Sequence, residues 1–587
     1  SMFLNEMVKW NLGDLYNSIG ENEINELISV LEKETKQIEK IRPLLKKDVS
    51  AKIIIDILDR SKETAKLTSK FGAFISLKLS EDTASHKYNA LASRLEQIGT
   101  DFHNRSLFFD LWWIGLDDKN AERIIKQSGE YAHKLRATRK FRKHTLKENE
   151  EKIINIKDLS GAGAISNLYD IITNAYNFDF KKKKGISQAE VMENVRDKNK
   201  DVRKLAYETV LNRYGKEESV LGEIYRNIAL DWVKEGLRLR GYETPISIRN
   251  KGNDLPDDAI ETLLSVCKKN RKVFQDYFKL KAKVVGMKKL RRYDIYAPVK
   301  SSKTKLKYED SVKTVLEVFG EFDSEFRDMA KRVIDEKHIH SDIQKGKRSG
   351  AFCYSVHPSI TPYILMNYVG SYNDTSTLAH ELGHAIHSML ASHKNIFDFH
   401  APLPLAETAS IFCEMLLEEK LLEKKMSAVE REHMLVTQLD GIYASIMRQA
   451  YFVMFEKKAH EMIEKGATIG QLNETYFNLL KEQFGDSIEL PEVFKHEWKY
   501  IPHIYHTPFY CYAYAFGNLL VLSLFNMYKH EGENFIKKYK RILSHGGGEV
   551  PSKMLSEAGI DVNDEKFWQG GFDLIKDMVK RLDSELK

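Results

Sequence analysis

Cysteine is scarce here: Cys267, Cys353, Cys413 and Cys511 are the four in 587 residues, scattered and without a CxxC pair. That argues against a disulfide framework or a cysteine-rich metal site and suits a reducing compartment. Long apolar runs are missing as well; nothing approaches the about 20 residues that a membrane-spanning helix needs. The opening, SMFLNEMVKWNLGDLYNSIG, shows no basic segment leading into an apolar one. The expectation is a cytoplasmic protein with no secretory leader and no membrane partner. Charge of one sign is also lacking: 91 basic residues face 85 acidic ones, for a net +6. Spread over this length, such a weak field gives no nucleic-acid footprint. Proline is rare, 12 residues in all, so long helices meet few interruptions.

What is present is helical periodicity. The stretch ENEINELISVLEKETKQIEKIRPLL places apolar residues at i, i+3 and i+4 with charges between them. Similar patterns cover 51–80, 84–113, 256–284, 309–334, 428–465 and 508–530. Strand candidates are few: GAFCYSV (350–356), PYILMNYV (362–369) and RRYDIYAP (291–298). The fold class expected is mainly α, with one small β-sheet. NFDFKKKKGISQ (177–188) is polar, basic and glycine-containing. It suggests an N-terminal helical region over 1–185 and a catalytic region over 186–587, with lobes free to interlock. SGAGAISNLYD (160–170) lacks both the third glycine and the GK[ST] ending of a phosphate loop, so helix-start packing explains it better.

One stretch points to chemistry. DTSTLAHELGHAIHSML (374–390) contains His380-Glu381-Leu382-Gly383-His384. Residues i and i+4 share a helix face, so His380 and His384 can offer two imidazoles to one zinc ion. Glu381 stands about 100° round the helix, within reach of a zinc-activated water rather than the metal. Asn373, Asp374 and Thr375 offer N-caps. With this histidine content an accidental HExxH arises in about one such sequence in twenty, so a third ligand is required. Position 387 is His and position 390 is Leu, which removes the metzincin pattern. His387 is about 10.5 Å of rise from His380, too far to share the ion, and suits a supporting or surface role.

Five downstream carboxylates can be weighed. Glu418 and Glu419 lie in LLEEKLLEKK, a charged face read as solvated, and Asp398 in a loop. Glu407 follows Pro404 among Leu405, Ala406, Ala409, Ile411 and Phe412, where a carboxylate must be paired or bound to metal. A turn of about 13 residues between two helices would bring it to the histidines, making a His₂Glu site with an open fourth position. Glu414, two turns on, either supports a ligand histidine or is an ordinary helix-surface glutamate.

YIPHIYHTPFYCYAYAFGNLL (500–520) is the other unusual segment. Thr507 and Pro508 read as N-cap and first helical residue, with His503, Tyr505 and His506 in the loop before them. Tyr510, Tyr512 and Tyr514 then fall in the first turns. Such aromatic clusters form cores, yet beside a zinc site they also supply donors for an oxyanion. SHGGGEVP (544–551) is either a flexible loop or a plain connector.

HELGHAIH, PLAETASIFCE, GKRSGAFCYSVHPSITPYILMNYVG, LRRYDIYAP and HIYHTPFYCYAYA together resemble the oligoendopeptidase F branch of the thimet-oligopeptidase family of zinc metallopeptidases. VKWNLGDLY and GIDVNDEKFWQGGFDLI are similar to that family too, so the likeness spans nearly the whole chain. The resemblance implies a two-lobed helical body around a deep channel, with a small sheet beside the zinc helix. It implies one Zn²⁺ per chain on His380, His384 and Glu407, with Glu381 as general base. It assigns His503, Tyr505 and Tyr512 to the transition state and substrate, Tyr510 being a rival for Tyr512. An exposed strand, GAFCYSV or PYILMNYV, would hold an extended peptide. The activity expected is hydrolysis of internal bonds in short oligopeptides. A carboxypeptidase trimming dipeptides or single residues is one alternative; a non-enzymatic helical binding protein is the other.

Overall fold

The computed structural model describes residues 8–424 and 426–587. The first seven residues, part of the opening stretch read above for a leader, lie outside them. Helices dominate, and every strand is short. No helix among the described residues is long and apolar enough to cross a membrane.

The chain divides into two compact units, each assembled from three segments. The first holds the residues before Lys143, then Lys303–Lys424 and Glu531–Gly559. The second holds Lys143–Ser302, the residues after Lys424 up to His530, and Ile560–Lys587. The polar stretch at 177–188 lies inside the second unit. There Phe178–Phe180 and Lys183–Ile186 pair antiparallel, and Lys181 turns the chain at φ 55°.

In the first unit the amphipathic pattern becomes the helices Glu21–Ile41, Ala51–Glu81 and His86–Gly115. Leu27, Leu31, Phe71 and Phe74 bury with Trp10 against Tyr363 and Leu365 of a small sheet and against Val356 in the loop between its strands. Each such side chain contributes roughly 1.5–3 kcal/mol when removed from water, so this layer fixes the sheet firmly. Phe352–Tyr354 and Tyr363–Leu365 pair antiparallel, with Phe352 opposite Leu365. A third strand, Ile339–His340, which the sequence reading did not anticipate, adds in parallel to the other edge of Tyr363–Leu365. The central strand is therefore paired on both sides, and Phe352–Tyr354 keeps a free edge among the described residues.

Two of the helical patterns are helical with a break in each, and one strand expectation needs correction. The pattern over 256–284 is two helices, Asp257–Lys269 and Arg271–Val284. The pattern over 309–334 is Tyr308–Phe322 and Ser324–Asp335, parted by Asp323 in an extended conformation (φ −162°). RRYDIYAP is hardly a strand. Only Leu290–Arg291 pairs, with Ile488–Glu489, because the Asp294 carboxylate accepts the Arg291 backbone N–H at 2.9 Å and winds the chain into a turn.

Candidate metal centre

The HExxH helix runs Tyr372–Leu390. Its cap is Ser371, not Asn373, Asp374 or Thr375. Ser371 accepts the Asp374 N–H, and the Asp374 carboxylate accepts the N–H groups of Val369 and Gly370 at 2.8 and 2.9 Å. A capping box of this kind settles orphan donors at the helix start. Leu378, Ala379, Leu382, Ala385 and Ile386 are buried and fix the helix rotationally. His380 and His384 then share the opposite, partly open face, with side chains 24% and 25% exposed.

Glu407 comes from the turn just before the helix Ser410–Glu423, rather than from inside a helix. Its Oε2 lies 3.2 Å from Nε2 of His380 and 3.2 Å from Nε2 of His384. One neighbour makes this approach possible. An added Cβ on Gly383 would sit 2.7 Å from both the Ala409 carbonyl oxygen and the Ser410 Cα. Only glycine lets the turn press against the HExxH helix. Ser410 donates its hydroxyl to the Glu407 carboxylate and aims it.

Two imidazole nitrogens and one carboxylate oxygen thus lie within 4.8 Å of one another. The donor set fits a borderline divalent ion such as zinc. A further contact supports the fit: His380 Nδ1 donates to Glu414 Oε2 at 2.8 Å, which in the neutral ring would leave the Nε2 lone pair to a metal. Without a metal, burial alone would lower His380. Its hydrogen bonds to Glu407 and Glu414 outweigh this and raise it to about 10. The same histidines hold Glu407 well below the usual carboxylate range against the upward push of burial.

Glu381 is 6% exposed, and its Oε2 has no partner among the described residues. Burial raises its pKa above the ordinary carboxylate value, while the two histidines pull it back down. A buried carboxylate poised in this way is a competent proton acceptor. His387 does not join the donor cluster, nor does it lie on the surface. It is buried, and that burial lowers it to about 4. Glu418, read as solvated, is buried as well. The glycines at 546–548 form no loose loop. Gly547 donates its N–H to the Asp398 carbonyl at 2.8 Å, and a Cβ there would meet the His400 carbonyl oxygen at 2.1 Å.

The aromatic segment belongs to the second unit. His503, Tyr505 and His506 lie in a one-turn helix, Pro502–His506, rather than in a loop, and the long helix starts at Tyr512 instead of Pro508. Between them Phe509 is left-handed (φ 64°), with its N–H held by the buried Glu456 carboxylate at 2.6 Å. This turn separates the tyrosines. Tyr505 is 1% exposed, stacks on Tyr169 and donates its hydroxyl to the Leu221 carbonyl at 3.1 Å. Tyr512 is fully buried, and its hydroxyl accepts from Asn253 at 2.9 Å. Tyr510 and Tyr514 instead share an exposed face with His503, their ring centroids 6.2 and 6.0 Å from the imidazole. Burial, then His506, holds His503 below its ordinary value, so it is neutral at neutral pH. Gly383 and Ser410 escaped the sequence reading, although the glycine inside HELGH and a hydroxyl three residues after Glu407 were visible signals.

A helical body that brings a glutamate onto an HExxH helix is the architecture of a hydrolase, and comparison with known proteins defines the class. A model described as peptidase family M3 matches residues 195–574, and one described as oligopeptidase F matches residues 112–178. The chain belongs to peptidase family M3, in its oligoendopeptidase F branch. It is similar to an oligoendopeptidase F homolog of Borreliella burgdorferi, 28% identical over 572 residues, 95% of each chain. Oligopeptidase PepF of Bacillus subtilis is 26% identical over 504 residues, covering 82% of this chain and 73% of that one. The fold is shared with oligoendopeptidase-F from Enterococcus faecium (TM-score 0.71, 20% identity, 97% and 99% of the two chains). A solved structure from Chlamydophila abortus superposes with TM-score 0.88 at 22% identity, over 100% and 99%.

Proposed function

We propose that this peptidase is a cytoplasmic, zinc-dependent endopeptidase that hydrolyses internal bonds of short oligopeptides. The observation that carries the reading is the convergence of His380, His384 and Glu407, both imidazole nitrogens 3.2 Å from one carboxylate oxygen. Relatives named oligoendopeptidase F support the substrate class.

His380, His384 and Glu407 would hold the metal, which when bound supplies a Lewis acid that acidifies water and polarises the scissile carbonyl. Glu414 keeps His380 in the ligating tautomer. Glu381 takes the proton of the attacking water and passes it to the leaving amine, a role its buried, unpartnered Oε2 suits. The family resemblance gives the oxyanion to the second constellation. His503, with Tyr510 and Tyr514 on the same exposed face, offers N–H and O–H donors there. The hydroxyls of Tyr505 and Tyr512 are engaged internally, so this reading leaves them the task of anchoring the turn. The free edge of Phe352–Tyr354 offers main-chain groups to an extended peptide.

Zinc content and cleavage of a mixed peptide pool, before and after chelation, test the proposal. Stoichiometric zinc with chelator-sensitive internal cuts is the expected result. Metal-independent cleavage, or release of C-terminal residues alone, would overturn it.

A further inference from the structure

A cavity of about 170 Å³ in the second unit has a charge imbalance that the peptidase reading does not use. Arg448 and Glu497 line it, with Arg196, Tyr296 and Tyr500. Glu497 is 2% exposed and is the shared carboxylate partner of two arginines. Arg292 donates to its Oε2 at 2.8 Å, and both terminal nitrogens of Arg448 reach that same oxygen at 3.4 Å. Tyr476 donates to its other oxygen. Arg292 is 1% exposed; its guanidinium lies 4.8 Å over the Phe494 ring, and its Nε and Nη1 have no hydrogen-bond partner among the described residues. Two guanidinium groups therefore share one carboxylate in a water-poor interior, leaving an excess of about one positive charge. Arg196, exposed and 5.2 Å over the Tyr296 ring, adds another cation without a carboxylate partner among the described residues.

Structural ion-pair networks close on themselves; this one does not. A guanidinium held at 3.4 Å from its carboxylate keeps donors available for a second acceptor, and planar carboxylates match that fork. The cavity's volume admits only a few heavy atoms, and Val195, Val210 and Leu211 give it an apolar side. Arg196 is exposed to solvent, so the buried excess is the single charge that Arg292 and Arg448 leave over Glu497, and one buried charge matches a monovalent anion better than a phosphate dianion. We propose that this cavity is a binding site for a short-chain monocarboxylate, with its carboxylate on Arg448 and its approach guided by Arg196.

Propionate and its neutral isostere propionamide are the probes, titrated into the full chain at fixed ionic strength by calorimetry and ligand-observed NMR. The expected result is saturable propionate binding and none for propionamide. Binding should weaken at least about tenfold in Arg448→Gln, which removes the charged donor. Glu497 keeps Arg292 and Tyr476 in that variant, so the fold has partners in place. Arg196→Gln, a surface change that leaves the interior alone, should weaken binding severalfold and decides the matter if Arg448→Gln does not fold. Propionate binding no better than propionamide, or equal in wild type and Arg196→Gln, overturns the proposal.

Discussion

At the scale of single residues, the proposed mechanism separates the groups that would hold a metal from the group that would move a proton. Glu381 touches none of the three donor atoms by hydrogen bond, so Glu381→Gln should leave the metal bound. Loss of the base should cost about 10² to 10⁴ in kcat, read from peptide cleavage beside metal analysis. Retained turnover would remove Glu381 from the role. Glu414 acts through another residue: its carboxylate takes the His380 Nδ1–H at 2.8 Å. Glu414→Ala frees that ring, and metal affinity should fall about 10- to 100-fold in a chelator competition. An unchanged affinity would make the contact incidental. HExxH and the isolated Glu407 were legible in sequence because covalent spacing alone puts the histidines on one face and apolar neighbours mark the glutamate. Tyr505 and Tyr512 were not. Tyr505 is buried by stacking on Tyr169, far away in the chain, and Tyr512 lies beyond the turn at left-handed Phe509 (φ 64°), a conformation that sequence gives no sign a phenylalanine will adopt.

At the scale of elements, the centre depends on how closely two segments pack. The HExxH helix and the turn before Ser410–Glu423 touch through Gly383, where a methyl group would meet backbone at 2.7 Å. Backbone cannot swing aside as a side-chain tip does. Gly383→Ala should push Glu407 off the histidines and lower metal occupancy, even though alanine favours helix more than glycine by about 1 kcal/mol. Occupancy equal to wild type would show that the close approach is not needed. Periodicity located the helices well but joined neighbours, as over 256–284, where apolar spacing runs on across the break at Asn270. Asn270 itself stops the helix: its side chain donates to the Val266 carbonyl at 2.8 Å and accepts from Gln569. That second partner lies about 300 positions away, beyond any local pattern. The strand Ile339–His340 escaped for a similar reason, since two residues carry no alternation.

At the scale of the whole molecule, the chain leaves its first unit and returns to it twice. A reading along the sequence finds local segments but not which distant ones share a core. Burial also sets how the molecule answers acid. His340 and His460, 1% and 0% exposed, are kept neutral by burial and held down to about 4 and about 3. Below pH 6.5 the unfolded chain takes up protons that the folded one refuses. Stability supplied by these groups is therefore present above about pH 6.5 and is lost as pH falls towards 4. Denaturant midpoints of the metal-free protein should fall between pH 7 and pH 5. His460→Phe, which has no proton to gain, should show a smaller fall; an equal fall in both would contradict the assignment.

The central claim is that one zinc ion is held jointly by His380, His384 and Glu407. X-ray absorption at the zinc edge on the purified, dialysed protein tests it most directly. The account predicts about one zinc per chain, with two imidazole nitrogens at about 2.0–2.1 Å and oxygen completing the shell. It also predicts that Glu407→Ala loses this signal. A zinc shell lacking imidazole, or a Glu407→Ala protein with the wild-type spectrum, would contradict it.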